Sequence, residues 1–156
     1  MDKIDHHILT LLQQDASLPV ADVARKVGLS VTPCWRRIQK MEEEGIIKAR
    51  VALLDGPKIG MGMSVFVGIK TDQHNADWLS HFAETIAAFP EVVEFYRMSG
   101  EVDYMLRVVV PNMAAYDVFY KKLISEVTLT DVSSSFAMEE IKNTTALPLP
   151  DVSKAT

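Results

Sequence analysis

The run Thr32-Pro33-Cys34-Trp35-Arg36-Arg37-Ile38-Gln39-Lys40 brings a hydroxyl, an indole, two guanidinium groups, a carboxamide and an ammonium together within a short stretch of chain. At about 100° per residue, Cys34, Ile38 and Met41 fall on one helix face, while Thr32, Pro33, Trp35, Arg36, Gln39 and Lys40 spread over the other. One face packs, and the other is free to read. Arg, Gln and Thr side chains suit base edges and phosphates, and a helix of this kind enters a major groove by its N-terminal end. Gly28 allows a sharp turn before the helix, Ser30 or Thr32 can cap its first N–H groups, Pro33 fits a first turn, and Gly45 ends it. Glu42, Glu43 and Glu44 keep the acidic end away from phosphate, at a local cost against the helix dipole. An ordinary amphipathic surface helix would share this pattern, so the flanking elements must decide.

Upstream, Asp2 can cap a helix with the apolar stripe Ile4, Ile8, Leu11 and Leu12. Pro19 opens a second, in which Val20, Val23, Ala24 and Val27 recur at helical spacing before Gly28 stops it. Helices this short are not stable alone, so the three must pack together as a helix-turn-helix. Downstream, Ile46 to Leu54 is β-branched and leucine-rich and is expected to form a wing or linker strand. Lys48 and Arg50 share one side of it, where they either touch flanking phosphates or are simply solvated. Asp55-Gly56-Pro57 and Gly60-Met61-Gly62 mark a domain boundary.

Beyond it the periodicity changes. Met63–Lys70 reads as a strand, Asn75–Phe89 as a helix with Leu79, Phe82, Ala83, Ile86 and Phe89 inward, and Val92–Met98 and Tyr104–Val110 as strands joined through Ser99-Gly100-Glu101. Asn112 caps another helix with Tyr116, Phe119, Tyr120, Leu123, Ile124 and Val127 inward, and Asp131–Ile141 closes the pattern as a strand. The order β-α-β-β-α-β is the ferredoxin-like arrangement, with both helices on one face of an antiparallel sheet. Along the strands, Val65, Val67 and Ile69 alternate with Phe66 and Gly68, and Leu106, Val108 and Val110 with Met105 and Val109, so both faces read as largely apolar. A second copy pairing through the open face would place two reading heads over a palindromic site.

The chain has 156 residues and a net charge of −5. Residues 1–50 hold eight Lys+Arg against seven Asp+Glu, whereas residues 51–156 hold eight against fourteen. The acidic excess therefore lies outside the helix-turn-helix and does not oppose nucleic-acid binding there. No apolar run reaches membrane-span length, and the acids in Met1-Asp2-Lys3-Ile4-Asp5 do not suit a signal peptide, so a cytoplasmic protein with no membrane partner is expected. The single cysteine, Cys34, excludes an internal disulfide and multi-cysteine metal sites, and its packing position favours an inert thiol over a redox sensor beside Arg36 and Arg37. Adjacent His6 and His7 diverge around a helix, and His74 and His81 lie too far apart for one ion, so no metal or cofactor is expected. The Glu42–Glu44 and Glu139–Glu140 acids lack an accompanying nucleophile or phosphate loop, which argues against an enzyme.

Several segments resemble the Lrp/AsnC family of feast/famine regulators from about Asp2 to Pro148. They are Ile4-Asp5 with the stripe to Leu12, Val27-Gly28-Leu29-Ser30, Thr32 to Ile38, Glu44-Gly45-Ile46-Ile47, Ser99 to Tyr104, and Met138-Glu139-Glu140-Ile141-Lys142. Each is weak singly; their order and spacing are specific. The resemblance implies an α+β chain: a winged-type helix-turn-helix joined by a linker strand to a ferredoxin-like βαββαβ ligand-sensing domain. It also implies dimers that assemble further, often into octamers, with small amino acids bound in clefts where dimers meet, near the turn between the second and third sensing strands. Carried over, Gly100, Asp103 and Tyr104 fall on that turn. Backbone N–H groups at Gly100 can receive a carboxylate and Asp103 an ammonium, although the same residues also serve a tight hairpin and its hydrogen bond. Ser134 and Ser135, in the run Ser133–Ser135, offer hydroxyls where the family's pocket closes, and cross-strand or solvent contacts explain them as well. Trp35, the segment Lys48 to Asp55, and Ser134 to Met138 resemble the cysteine-responsive, cysteine-detoxification branch and depart from the leucine-responsive type.

The reading is a one-component transcription regulator that binds double-stranded promoter DNA under the control of a small amino acid, with L-cysteine the candidate. Ser30, Thr32, Pro33, Trp35, Arg36, Arg37, Gln39 and Lys40 form the DNA-binding set, with Arg37 and Lys40 directed to phosphate. The divisions are 1–46 for the head, 47–62 for the linker, 63–145 for sensing and oligomerisation, and 146–156 for a tail. A ligand-independent architectural DNA-binding protein and an amino-acid-metabolising enzyme are the alternatives.

Overall fold

The computed structural model describes residues 1–73 and 75–150; His74 and residues 151–156 lie outside it. The chain divides into two compact units, one of Met1–Leu53 with the segment from Ile141 onward, the other of Leu54–Glu140.

The first unit is built on α1 (Lys3–Gln14), α2 (Val20–Val27) and α3 (Val31–Glu43). Asp2 and Asp5 form a reciprocal capping box at the start of α1, which satisfies donors that the first turn leaves unpaired. Pro19 stands at the N-cap of α2 rather than inside it, and its carbonyl accepts from the Asp22 and Val23 N–H groups. Gly28 takes φ +72° and Gly45 φ +71°, the left-handed conformation that lets each helix end turn back on itself. Leu29 N–H then donates to Ala24 O at 2.9 Å, and Ile46 N–H to Met41 O at 2.9 Å. Ile8, Leu9, Leu12, Val23, Ala24, Cys34, Ile38 and Met41 form one buried core. Leu9, not expected in the stripe, joins it at the margin, while Leu11, which was expected, is only partly buried.

The expected strand at Ile46–Leu54 does not form. Its residues favour extended backbone, but a strand needs a neighbour to take its N–H and C=O groups, and none of the described residues supplies one. Val51, Leu53 and Leu54 are exposed. A single 3-10 turn, Pro57–Ile59, follows.

The second unit is a four-stranded antiparallel sheet of β1 (Met63–Lys70), β2 (Val92–Arg97), β3 (Tyr104–Val110) and β4 (Asp131–Phe136), in the order β2-β3-β1-β4. Helices α4 (Ala76–Ala87) and α5 (Met113–Glu126) connect them. Asn75 and Asn112 cap these helices, accepting from Trp78 N–H at 2.8 Å and Ala115 N–H at 3.0 Å. Val65, Val67, Ile69, Leu106 and Val108 pack with Phe82, Ile86, Phe119 and Leu123 in a second core. Ile124, expected inward, is exposed.

Two expectations about this sheet change. β4 ends at Phe136 instead of Ile141, because β1 begins at Met63 and its last contact with the strand is Ser64 O accepting from Ala137 N–H. Met138 and Ile141 are exposed beyond that point. The open face is mixed rather than largely apolar. Phe66, Met105 and Val109 line it, but Arg107 pairs with Glu94 across it at 2.7 Å, and Tyr96 OH donates to the same carboxylate at 3.1 Å.

After β4 the chain returns to the first unit. Gln13 Nε2 donates to Leu147 O at 3.0 Å, Leu147 N–H donates to Gln13 Oε1 at 2.9 Å, and Leu149 packs against the three-helix core.

Ile38 is fully enclosed in this core, so Ile38→Ala should lower stability by about 2–5 kcal/mol. Urea unfolding followed by Trp35 fluorescence in a Trp78→Phe background measures the change.

Candidate nucleic-acid interface and effector turn

Burial fixes the rotation of α3. With Cys34, Ile38 and Met41 against α1 and α2, Ser30, Thr32, Pro33, Trp35, Arg36 and Lys40 are exposed. Ser30 occupies the N-cap position, but its hydroxyl makes no capping bond. Burial pushes the Cys34 thiol pKa up, opposed by the Arg37 charge, so the sulfur stays a protonated packing group.

The expected DNA-binding residues divide into two groups. Ser30, Thr32, Trp35 and Arg36 are exposed and no described residue pairs with their side chains. Arg37, expected at phosphate, instead reaches back to the start of α1, where Nη1 lies 2.7 Å from Asp2 Oδ2 and 2.7 Å from Asp5 Oδ1. Gln39 Nε2 donates to Glu42 Oε2 at 3.0 Å, and Lys40 lies 3.7 Å from Glu44. Glu42 also accepts from Arg50 Nε at 3.2 Å and Nη2 at 2.8 Å. Arg50 thus offsets one of the carboxylates that oppose the α3 dipole. Lys48 is exposed.

In the second unit the β2–β3 turn is tied to the end of β1. Asp103 Oδ2 accepts from Thr71 N–H at 2.9 Å, Asp103 N–H donates to Ile69 O at 2.9 Å, and Met98 N–H donates to Asp103 O at 2.8 Å. Gly100 is exposed at φ +133°, a conformation that disfavours any side chain, and no described residue accepts its N–H. Tyr104 departs from the expected effector role: it is only 5% exposed, with its ring among Trp78, Phe82 and Phe95.

The serine run splits by the two-residue period of its strand. Ser134 lies on the helix side, hydrogen-bonded to the Tyr116 hydroxyl, whose pKa burial pushes up. Ser133 and Ser135 lie on the open face, opposite Gly68 and Phe66. Ser133, outside the expected set, is the serine that approaches the turn. A Cβ on Gly68 would come within 2.9 Å of Ser133 Oγ and 3.1 Å of Val102 Cγ1, so glycine there lets Val102 and Ser133 close over β1. Thr71 was also outside the set, because a backbone N–H that meets a carboxylate 32 residues away leaves no local pattern. Among the described residues no cluster of metal-ligating side chains occurs, and no helix is long and apolar enough to cross a membrane.

A three-helix reading head joined to a ferredoxin-like unit defines a DNA-binding transcriptional regulator with a ligand-binding domain. The comparisons agree: a winged helix-turn-helix DNA-binding model matches residues 1–48, and the Lrp/AsnC ligand binding domain matches residues 64–147. The chain belongs to the Lrp/AsnC family, whose members found here are transcriptional regulators rather than enzymes. It is 50% identical over 153 residues to the glutamate uptake regulatory protein of Zymomonas mobilis subsp. mobilis, covering 98% of this chain and 93% of that one. It is 50% identical over 150 residues to the DNA-binding transcriptional activator DecR of Escherichia coli strain K12, covering 96% and 99%. The crystal structure of the transcriptional regulator NMB0573/L-Met complex from Neisseria meningitidis superposes with a TM-score of 0.90 at 34% identity, covering 95% and 96%.

The Asp2 carboxyl is held below the ordinary aspartate value, first by the Asp5 N–H and next by its hydrogen bond from Arg37. A lowered carboxylate pKa stabilises the fold above the unfolded value of about 3.9, and that contribution is lost as pH falls through the lower folded value. Melting temperature should therefore drop below about pH 4. Asp2→Asn, which keeps the cap but not the charge, should flatten that acid limb in melts recorded between about pH 2 and 7.

Proposed function

We propose that the N-terminal half of α3 reads base edges of a promoter operator, under the control of a small amino acid held at the β2–β3 turn. The supporting observation is the division along α3. Its exposed Ser30, Thr32, Trp35 and Arg36 side chains are unpaired, whereas Arg37, Gln39 and Lys40 are drawn into contacts within the head. Arg36 is the principal base reader, Pro33 packs beside the groove wall, and Lys40 exchanges Glu44 for phosphate. Arg37 holds α3 to the start of α1. Residues 1–46 act as the head, 47–62 as the linker and 63–145 as the sensing and oligomerising domain, in a dimer that pairs through the open sheet face and assembles further, up to an octamer.

The effector is a small amino acid, as supported by the L-Met complex of the meningococcal relative. Its carboxylate meets the free Gly100 N–H, and its ammonium meets Asp103, with Ser135 on the same face as Ser133 toward a neighbouring subunit. Within this class L-cysteine is the candidate, from the resemblance of Trp35 and the serine run to the cysteine-responsive branch. The glutamate uptake regulator, 50% identical, makes glutamate the first competitor.

DNA binding to the chain's own upstream region, at one stated salt concentration with and without cysteine, glutamate, methionine, alanine and leucine, tests the reading. An effector present at about 100 times its Kd should also stabilise the protein by about 2.7 kcal/mol. No shift with any amino acid would leave a ligand-independent architectural protein.

Arg36→Ala should cost about 1–3 kcal/mol on the specific operator and far less on random duplex, as read by fluorescence anisotropy. Equal losses on both would assign Arg36 to phosphate.

Asp103→Asn should keep the unfolding midpoint, because an amide oxygen still accepts from Thr71 N–H, yet lose the effector-induced shift in differential scanning fluorimetry. A retained shift would make the carboxylate purely structural.

A further inference from the structure

The packing face of α3 is complete, with Cys34, Ile38 and Met41 at most 3% exposed. Two apolar side chains of the same helix nevertheless stand in water: Val31 and Trp35 are each 49% exposed. They are one turn apart, at i and i+4, so they form a continuous ridge on the N-terminal half of the helix. Neither the core nor capping requires a β-branched residue at the first helical position, and valine there lowers helix propensity.

The surroundings of the ridge are polar and cationic. Ser30 and Thr32 flank Val31 with exposed hydroxyls, and Arg36 follows Trp35. Arg36 forms no ion pair with a described residue. A protein partner for an apolar ridge is expected to surround it with an uncharged centre. The unpaired Arg36 guanidinium beside it instead complements a polyanion that offers isolated apolar points. The major groove of DNA is such a surface, and the apolar feature it presents to a reader is the C5-methyl group of thymine.

We propose that Val31, backed by Trp35 and the Thr32 methyl, is a specificity-determining residue that packs against thymine methyl groups in the operator. This rests on the groove reading given above for α3. It makes part of the sequence preference apolar, added to the hydrogen bonding of Arg36. Val31 lies outside the expected DNA-binding set, which passes from Ser30 to Thr32.

The test removes one methyl group at a time. An operator selected from a random duplex pool with the full chain is remade with deoxyuridine in place of each thymine in turn, and Kd is measured by anisotropy. At one or two thymines per half-site the loss should be about fourfold, as expected for one buried methyl. Val31→Ala should bind the unmodified operator more weakly by a similar factor and show no further loss with deoxyuridine at the same thymine. Val31→Thr, which keeps one methyl, should retain part of the effect. Val31 is exposed, so unchanged melting temperatures confirm that both variants are folded. Indifference of the wild type to deoxyuridine everywhere, or an undiminished deoxyuridine penalty in Val31→Ala, overturns the proposal and leaves sequence-specific binding intact. A pool that yields no preferred sequence overturns the groove reading as well.

Discussion

Everything the head presents outward depends on the burial of Cys34, Ile38 and Met41 beneath α3. Helices of 8–13 residues do not persist alone in water, so the shared core with Ile8, Leu12, Val23 and Ala24 is what makes them helices. That burial also sets the rotation of α3 about its axis and so selects which side chains reach solvent. The Arg37 pair with Asp2 and Asp5 adds little energy, since solvent screens charges that lie at or near the surface. Its effect is geometric: two carboxylates at the start of α1 hold one guanidinium and fix where α3 begins relative to its neighbour. A net charge of −5 does not oppose this arrangement. At physiological salt, charges beyond about 8 Å are largely screened, and the local surface decides what a phosphate meets.

The parts of the fold that were legible in the sequence are those set by neighbours along the chain. Gly28 and Gly45 mark helix ends because only a residue without Cβ takes the left-handed turn at little cost, and Asn75 and Asn112 mark helix starts because their side chains satisfy a free N–H one turn on. The βαββαβ order follows from the alternation of periods. What remained hidden depends on distant partners. Ile46–Leu54 has strand composition but no neighbouring strand among the described residues, and β4 stops where β1 stops offering carbonyls. Arg37 looked like a phosphate ligand because periodicity assigns a face, not the carboxylates that wait across the helix pair. Ser134 and Ser135 looked equivalent as hydroxyls, yet one residue of register sends the first to Tyr116 and the second to the open face.

The β2–β3 turn carries the same lesson in its energetics. Asp103 spends one carboxylate oxygen on Thr71 N–H and its own backbone groups on Ile69 and Met98, so it closes the end of β1 onto the β2–β3 turn. An ammonium arriving at that carboxylate, in the proposed reading, draws on a group the fold already uses. Ligand binding and the local order of residues 98–103 are then two sides of one equilibrium, and the ligand shifts it only as far as its affinities for the two arrangements differ.

Chain connectivity gives that equilibrium a route outward. Val102 of the turn and Ser133 of β4 both lie against Gly68, in space that a Cβ would fill. From β4 the chain runs on into the segment whose Leu147 exchanges two hydrogen bonds with Gln13 of α1 and whose Leu149 joins the core beneath α3. In sequence, the second unit is therefore an insertion between the two segments of the first. Leu149 packs in the core that orients α3, so the segment after β4 is part of the constraint that decides which side chains of α3 reach solvent.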